Sequence, residues 1–378
     1  MSPNRDAVVS APHTVAHASA HYTLDRASSD RITLIRFPLI VGVVFIHAYS
    51  TLVHVEQGAI GPAHTGYAVN FIRDIVSGGI ADVAVPLFYL LSGFLYFYGA
   101  QWTSATYVAK LRTRAQTLLV PYVAWNVLTI LLVAIAQSIP STARLFSAGY
   151  VPVASMGWAE VVDVTLGITK APIAYQFWFI KDLMLLVIAA PLIHLVARRA
   201  GLLFLILCGG AWALEMFPAH ALDTEAIFFF YGGALLAVRG RDPFSVDRYG
   251  SELAAAYVVV VIADAVTKGE AVNLLFHKAG LVLGCAAALY WTRWLLAPAR
   301  RRVFLWLGRA SFFVFAAHEP LLTAMRKALY AELVPQSGGE ALALYFIAPL
   351  LVIALCVAAY SWARATWPTL TMILAGGR

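Results

Sequence analysis

The chain has 378 residues, 61% of them hydrophobic and only 12% charged, with a mean hydropathy of +0.76. Ordinary soluble domains carry about twice that charge, so a single water-soluble core is excluded. The net charge of +7 needs no nucleic acid to explain it, because the cytoplasmic loops of membrane proteins collect Lys and Arg.

Residues 1–30 are polar, rich in Ala, Ser and His, and lack the basic start and apolar stretch of a secretory signal. They read as a disordered cytoplasmic tail. His13, His17 and His21 would share one face of a helix, a spacing that can hold a metal, but a tail of this composition favours disorder and no metal is expected.

The apolar blocks then follow at 32–53, 80–99, 118–136, 177–197, 202–217, 226–238, 253–266, 272–291, 303–323 and 342–363. Each approaches the roughly 20 residues that cross a hydrocarbon core of about 30 Å. The reading is all-α, a polytopic membrane bundle of about ten transmembrane helices over residues 31–367, followed by a cytoplasmic C-terminal tail at 368–378. The sixth and seventh blocks are short, which leaves nine or eleven passes open. Alternate connections carry the cations: Lys110, Arg112, Arg114, Arg198, Arg199, Arg239, Arg241, Arg248, Arg293 and Arg300 to Arg302 fall on the tail's side. By the positive-inside rule both termini are cytoplasmic, and the segments 52–79 and 137–176 face outward. Cys208, Cys285 and Cys356 lie far apart inside apolar blocks and read as packing residues.

An ionisable group inside a membrane helix is costly unless it faces protein or water, so each one is a functional candidate. In the first block Arg36 and His47 are eleven residues apart, close to three helical turns. They share one face, separated by about 16 Å. Arg36 can instead be a snorkelling anchor at the headgroups. The ninth block repeats the pattern, with Arg309 near its start and His318-Glu319 about as deep as His47. The fourth block runs the other way and brings Trp178, Lys181 and Asp182 near that level, where an acid, a base and an aromatic platform can converge. An interfacial charge pair and a belt tryptophan explain these three equally well. Ser92-Gly93 leaves a gap in the aromatic wall of the second block, and Lys110, Arg112 and Arg114 precede Pro121-Tyr122. Three such cations can grip a phosphorylated cofactor or lipid headgroups.

Taken in order, Arg36 with His47, Phe88 to Phe94 ending Ser-Gly-Phe, the basic run into Pro121-Tyr122, Phe177-Trp178-Phe179, and Phe315-Ala316-Ala317-His318-Glu319-Pro320 resemble the membrane acyltransferase-3 family. The likeness spans nearly the whole chain and is most like exopolysaccharide acetyltransferases of the xanthan type. The resemblance implies an inner-membrane acyltransferase of a bacterial cell. It implies acetyl-CoA as the cytosolic donor and a hydroxyl of a polysaccharide or lipid-linked oligosaccharide as acceptor, alongside membrane lipids and polysaccharide assembly machinery as partners. It carries over the family's arginine and histidine onto Arg36 and His47, its serine and glycine onto Ser92 and Gly93, and its late histidine onto His318.

On that basis Arg36, Lys110, Arg112 and Arg114 hold the donor's phosphates while the pantetheine arm threads toward His47. There His47 acts as general base or as a transient acyl acceptor. Asp182 is a candidate partner of His318, and Trp178, Lys181 and Glu319 are candidates for the acceptor side. The competing class is a transporter or flippase for a lipid-linked sugar, since proton-coupled carriers also bury Arg and His.

Overall fold

Away from water a chain must satisfy its N–H and C=O groups internally, and the apolar blocks do so as helices. The computed structural model describes residues 24–377 except 57, 63, 100, 147–149 and 218–221; His13, His17 and His21 lie outside the described residues. Asp25 accepts from the Ser28 N–H at 2.7 Å and so caps α1 (Arg26–Leu34), and after a break at Ile35 the chain resumes as α2 (Arg36–His47). A hairpin of β1 (Val53–Val55) and β2 (Gly58–Ile60) pairs Val53 with Ile60. Next, α3 (Tyr67–Arg73) runs through a π-helical stretch, Asp74–Ala81, toward α4 (Ala84–Phe97). In the same way α5 (Ser104–Arg114) passes through Ala115–Leu119 into α6 (Val120–Ser138). Short helices α7 (Pro140–Ala143) and α8 (Trp158–Leu166) precede α9 (Trp178–Ile188), which bends by 64° into α10 (Ala190–Arg199). The remaining helices are α11 (Gly201–Ala213), α12 (Thr224–Val238), α13 (Gly250–Val266), α14 (Asn273–Leu295), α15 (Pro298–Leu333), α16 (Gly338–Thr366) and α17 (Pro368–Leu374).

Every apolar block falls on helix, but the blocks are not ten equal rods. Among the described residues five helices are long and apolar enough to cross a membrane, or six if the bent pair α9–α10 counts as one span. The break at Ile35, the bend at Ala189 ahead of Pro191, the short α11 and α12, and the charges carried along the otherwise long α15 account for the difference. The segment 52–79, expected as an outward loop, is instead helical from Tyr67 onward. Its polar residues are satisfied inside the bundle: Asp74 accepts from the Tyr49 hydroxyl at 2.6 Å and Ser77 donates to Phe45 O at 2.6 Å. Residues 368–374, expected within a tail, form α17, whose Leu374 carbonyl accepts from the Trp125 indole at 3.0 Å.

Two packing relations position the site. Helices α1 and α2 run beside α15 in the same direction. Asp30 and Arg301 pair at 2.8 Å near one end, and Arg326 donates to Ser50 O at 2.5 Å near the other. Helices α4 and α12 meet backbone to backbone through Gly93 and Gly233.

The first end is clamped by Arg31, which is buried and donates to Asp247 at 2.6 and 2.9 Å, to Thr292 at 2.6 Å and to Leu289 O at 2.6 Å. Arg31 is buried and Asp247 only partly so, and neutralising the carboxylate weakens charge-assisted hydrogen bonds to a buried guanidinium, a loss of about 2 kcal/mol. Asp247→Asn is therefore expected to lower the melting temperature of the detergent-solubilised protein by several degrees; an unchanged melt would show that the clamp contributes nothing.

Candidate active site

A cavity of about 200 Å³ opens between α2, α4, α9 and α15. Arg36 and His47 both line it, so the one-face arithmetic places them on the same wall, about 16 Å apart by helical rise. Arg114 joins Arg36 at its end, near enough for the two cations to repel one another, and neither forms an ion pair among the described residues. Arg114 also lines a surface recess of about 400 Å³ shared with Lys110, Tyr96 and Gly376, so one side chain borders both spaces. The cation end is thus the part of the cavity nearest that recess, and beyond it the wall is formed largely by Ile40, Val43, Leu118, Phe312 and Phe315.

At the far end two imidazoles meet. The rings of His47 and His318 lie 5.3 Å apart between centroids, and His47 also stands edge-on to Tyr175 at 5.1 Å. His318 is 0% exposed. Its Nδ1 lies 2.6 Å from the Phe315 carbonyl; a carbonyl can only accept, so Nδ1 carries the proton and Nε2 keeps the lone pair. That Nε2 has no partner, and neither do Gln176 Oε1 and Ser311 Oγ, two further buried atoms whose side chains line the cavity. Buried polar atoms are nearly always paired. Two orphans in the wall of one cavity, with a third on the ring packed behind His47, are what a site shaped to a polar ligand shows.

The family comparison decides the class. A family model described as "Acyltransferase domain" matches residues 29–362, almost the whole helical bundle. The chain belongs to the acyltransferase-3 family. A curated relative, "Succinoglycan biosynthesis protein ExoH" of Rhizobium meliloti (strain 1021), is 25% identical over 370 residues, covering 94% of each chain. No solved structure matches the chain significantly. Family membership places the protein among multi-pass membrane acyltransferases rather than carriers.

Within this acyltransferase the predicted residues separate into groups. Arg36, His47, Ser92, Arg114 and Trp178 line the cavity, and His318 packs on His47. Lys110 donates to Tyr96 O and lines the recess outside. Arg112 is exposed and lines neither space, because it lies on the outward face of α5. Gly93 faces α12, where an added Cβ would lie 2.0 Å from Phe230 O, so its smallness serves helix packing and only Ser92 reaches the cavity. Lys181 donates to Gly167 O at 3.2 Å, and Asp182 is buried near Asp223 of the α12 start rather than against His318. Glu319 is buried, accepting from the Tyr175 hydroxyl and, at 2.8 Å, from Thr323. It therefore braces the tyrosine that packs on His47. Arg309, placed near the start of its block as Arg36 is, is exposed.

Sequence reasoning missed Gln176 and Ser311, and also Asp82 and Glu225, whose carboxylates line the cavity. Asp82 is held by His277 Nε2 at 3.5 Å and Glu225 by the Trp212 indole at 3.3 Å. The Asp82 signal was available, an acid at the edge of an apolar block, as was Glu225 just ahead of another.

Proposed function

We propose that the protein transfers an acetyl group from acetyl-CoA to a sugar hydroxyl of an exopolysaccharide or its lipid-linked oligosaccharide precursor at the bacterial inner membrane, the donor entering from the cytosol at the Arg36 end. The observation that carries this reading is one cavity lined by Arg36 and Arg114 toward one end and by His47, against which His318 packs, toward the other. The relative's role in succinoglycan biosynthesis supports an exopolysaccharide acceptor.

The division of labour follows from solvation. A CoA head carries phosphates that cannot leave water cheaply, so it stays in the recess that Arg114 and Lys110 border, and only the thioester arm enters. The acceptor approaches the other end, where Trp178 offers an apolar face to a sugar ring and Asp82 and Glu225 can accept from its hydroxyls. His47 takes the hydroxyl proton as the oxygen attacks the thioester carbonyl. The C–S bond breaks, and His47 passes the proton to the departing thiolate, leaving ester and free CoA. His318 Nε2, held as a lone-pair acceptor, receives a hydrogen bond from the protonated His47 and steadies it.

The test is purified protein in nanodiscs with labelled acetyl-CoA and oligosaccharides from alkali-deacylated succinoglycan. Label should move to the sugar, and free CoA should appear only when the acceptor is present; release that ignores the acceptor would overturn the reading. In the same assay Arg114→Glu or Arg36→Gln should raise the KM for acetyl-CoA by about tenfold to 100-fold, the worth of one or two charge-assisted hydrogen bonds. The acceptor KM should stay put. An unchanged donor KM would move the phosphate grip elsewhere.

A further inference from the structure

Ser311 is a hydroxyl in the wrong state for its surroundings. Serines and threonines inside helices normally turn back and donate to the carbonyl four residues earlier. Thr33, Thr113, Thr117, Thr165, Ser361 and Thr366 all do so in this chain, at 2.6 to 3.1 Å. Ser311 does not. It is 2% exposed, its Oγ has no partner, and its side chain lines the cavity beside Ile40 and Phe312.

Its depth is fixed by helix geometry. Helices α2 and α15 are parallel, with Gly308 beside Thr33 O and His318 beside His47. Ser311 precedes His318 by two turns, which sets it about 10 Å from the imidazole pair toward the cation end. A pantetheine arm carries two amides. Eight bonds separate the thioester carbonyl carbon from the nitrogen of the amide farther from sulfur, an extended span of about 10 Å. With the acyl carbon at His47 and the head at Arg36 and Arg114, that farther amide comes level with Ser311. It must find a hydrogen bond there or lose one to an apolar wall.

Resting on the acetyl-CoA reading, we propose that Ser311 is a donor-arm residue whose Oγ hydrogen-bonds the amide of pantetheine farther from sulfur. It measures the donor's length and sets the thioester at His47, and it takes no part in proton transfer.

Truncated donors test this. S-acetylpantetheine keeps both amides, whereas S-acetyl-N-acetylcysteamine keeps only the one nearer sulfur. Ser311→Ala should lower kcat/KM about fivefold to tenfold for acetyl-CoA and S-acetylpantetheine, the worth of one hydrogen bond. It should change kcat/KM less than twofold for the short thioester, and Ser311→Thr should restore the long donors. An equal loss on all three donors would make Ser311 a packing residue, and no loss on any would remove it from the arm; either overturns the inference. Wild-type protein that fails to turn over acetyl-CoA at all would instead overturn the donor reading, and the inference with it.

Discussion

His47→Ala is expected to abolish acyl transfer while leaving a protein that inserts, expresses and melts like wild type. The two halves of that expectation have separate causes. A general base contributes about 100-fold to 10,000-fold, and a sugar hydroxyl offered to a thioester without one is a poor nucleophile. Stability, by contrast, owes little to this side chain. His47 makes no side-chain hydrogen bond among the described residues, is only partly buried, and touches its neighbours through the rings of Tyr175 and His318. His318→Ala should differ, with a smaller loss of rate and a lower melting temperature, because that ring is wholly buried and tied to the Phe315 carbonyl. Initial rates with saturating acetyl-CoA and a melting curve for each variant check both statements. Activity retained in His47→Ala would remove His47 from the chemistry.

What was legible in the sequence is what periodicity and rise can reach. Eleven residues of helix place Arg36 and His47 on one wall, and similar depths from two helix starts bring His47 and His318 together. Nothing further was needed, because both relations lie along a helix axis. The π-helical Asp74–Ala81 stretch was not legible. Arg73, Asp74 and Ser77 resemble loop residues until Tyr49, Phe45 and Tyr345 are seen to pair with them across the bundle. Ser311 and Gln176 were hidden for the opposite reason. A serine ahead of an aromatic run and a glutamine before Phe177 are unremarkable as letters, and only an unpaired oxygen in a cavity wall distinguishes them. Arg309 misled because only its depth was matched to Arg36: it precedes His318 by nine residues rather than eleven, about two and a half turns, which sets it on the opposite face of α15.

Gly93→Ala should be among the most destabilising single-methyl changes in the protein, and it should act through α12 rather than through the donor. A Cβ at Gly93 would stand 2.0 Å from Phe230 O, and one at Gly233 would stand 1.8 Å from Leu90 O. Both obstacles are backbone carbonyls, which cannot swing aside as a side-chain tip can. The two helices must separate, and each substitution undoes the close approach that small residues permit in membrane bundles. Overpacking of this kind costs about 3 kcal/mol, enough to lower surface expression and the melting temperature together. The adjacent Ser92→Ala removes a cavity-lining hydroxyl and adds no atom, so it should melt normally. Separation of α4 from α12 would also carry Glu225 away from the cavity it lines, so Gly93→Ala protein that survives purification should lose affinity for the acceptor before it loses affinity for acetyl-CoA. A variant with normal stability and a purely donor-side defect would instead place Gly93 against the bound arm, and would mean that α4 and α12 stand farther apart in the membrane than their glycines indicate.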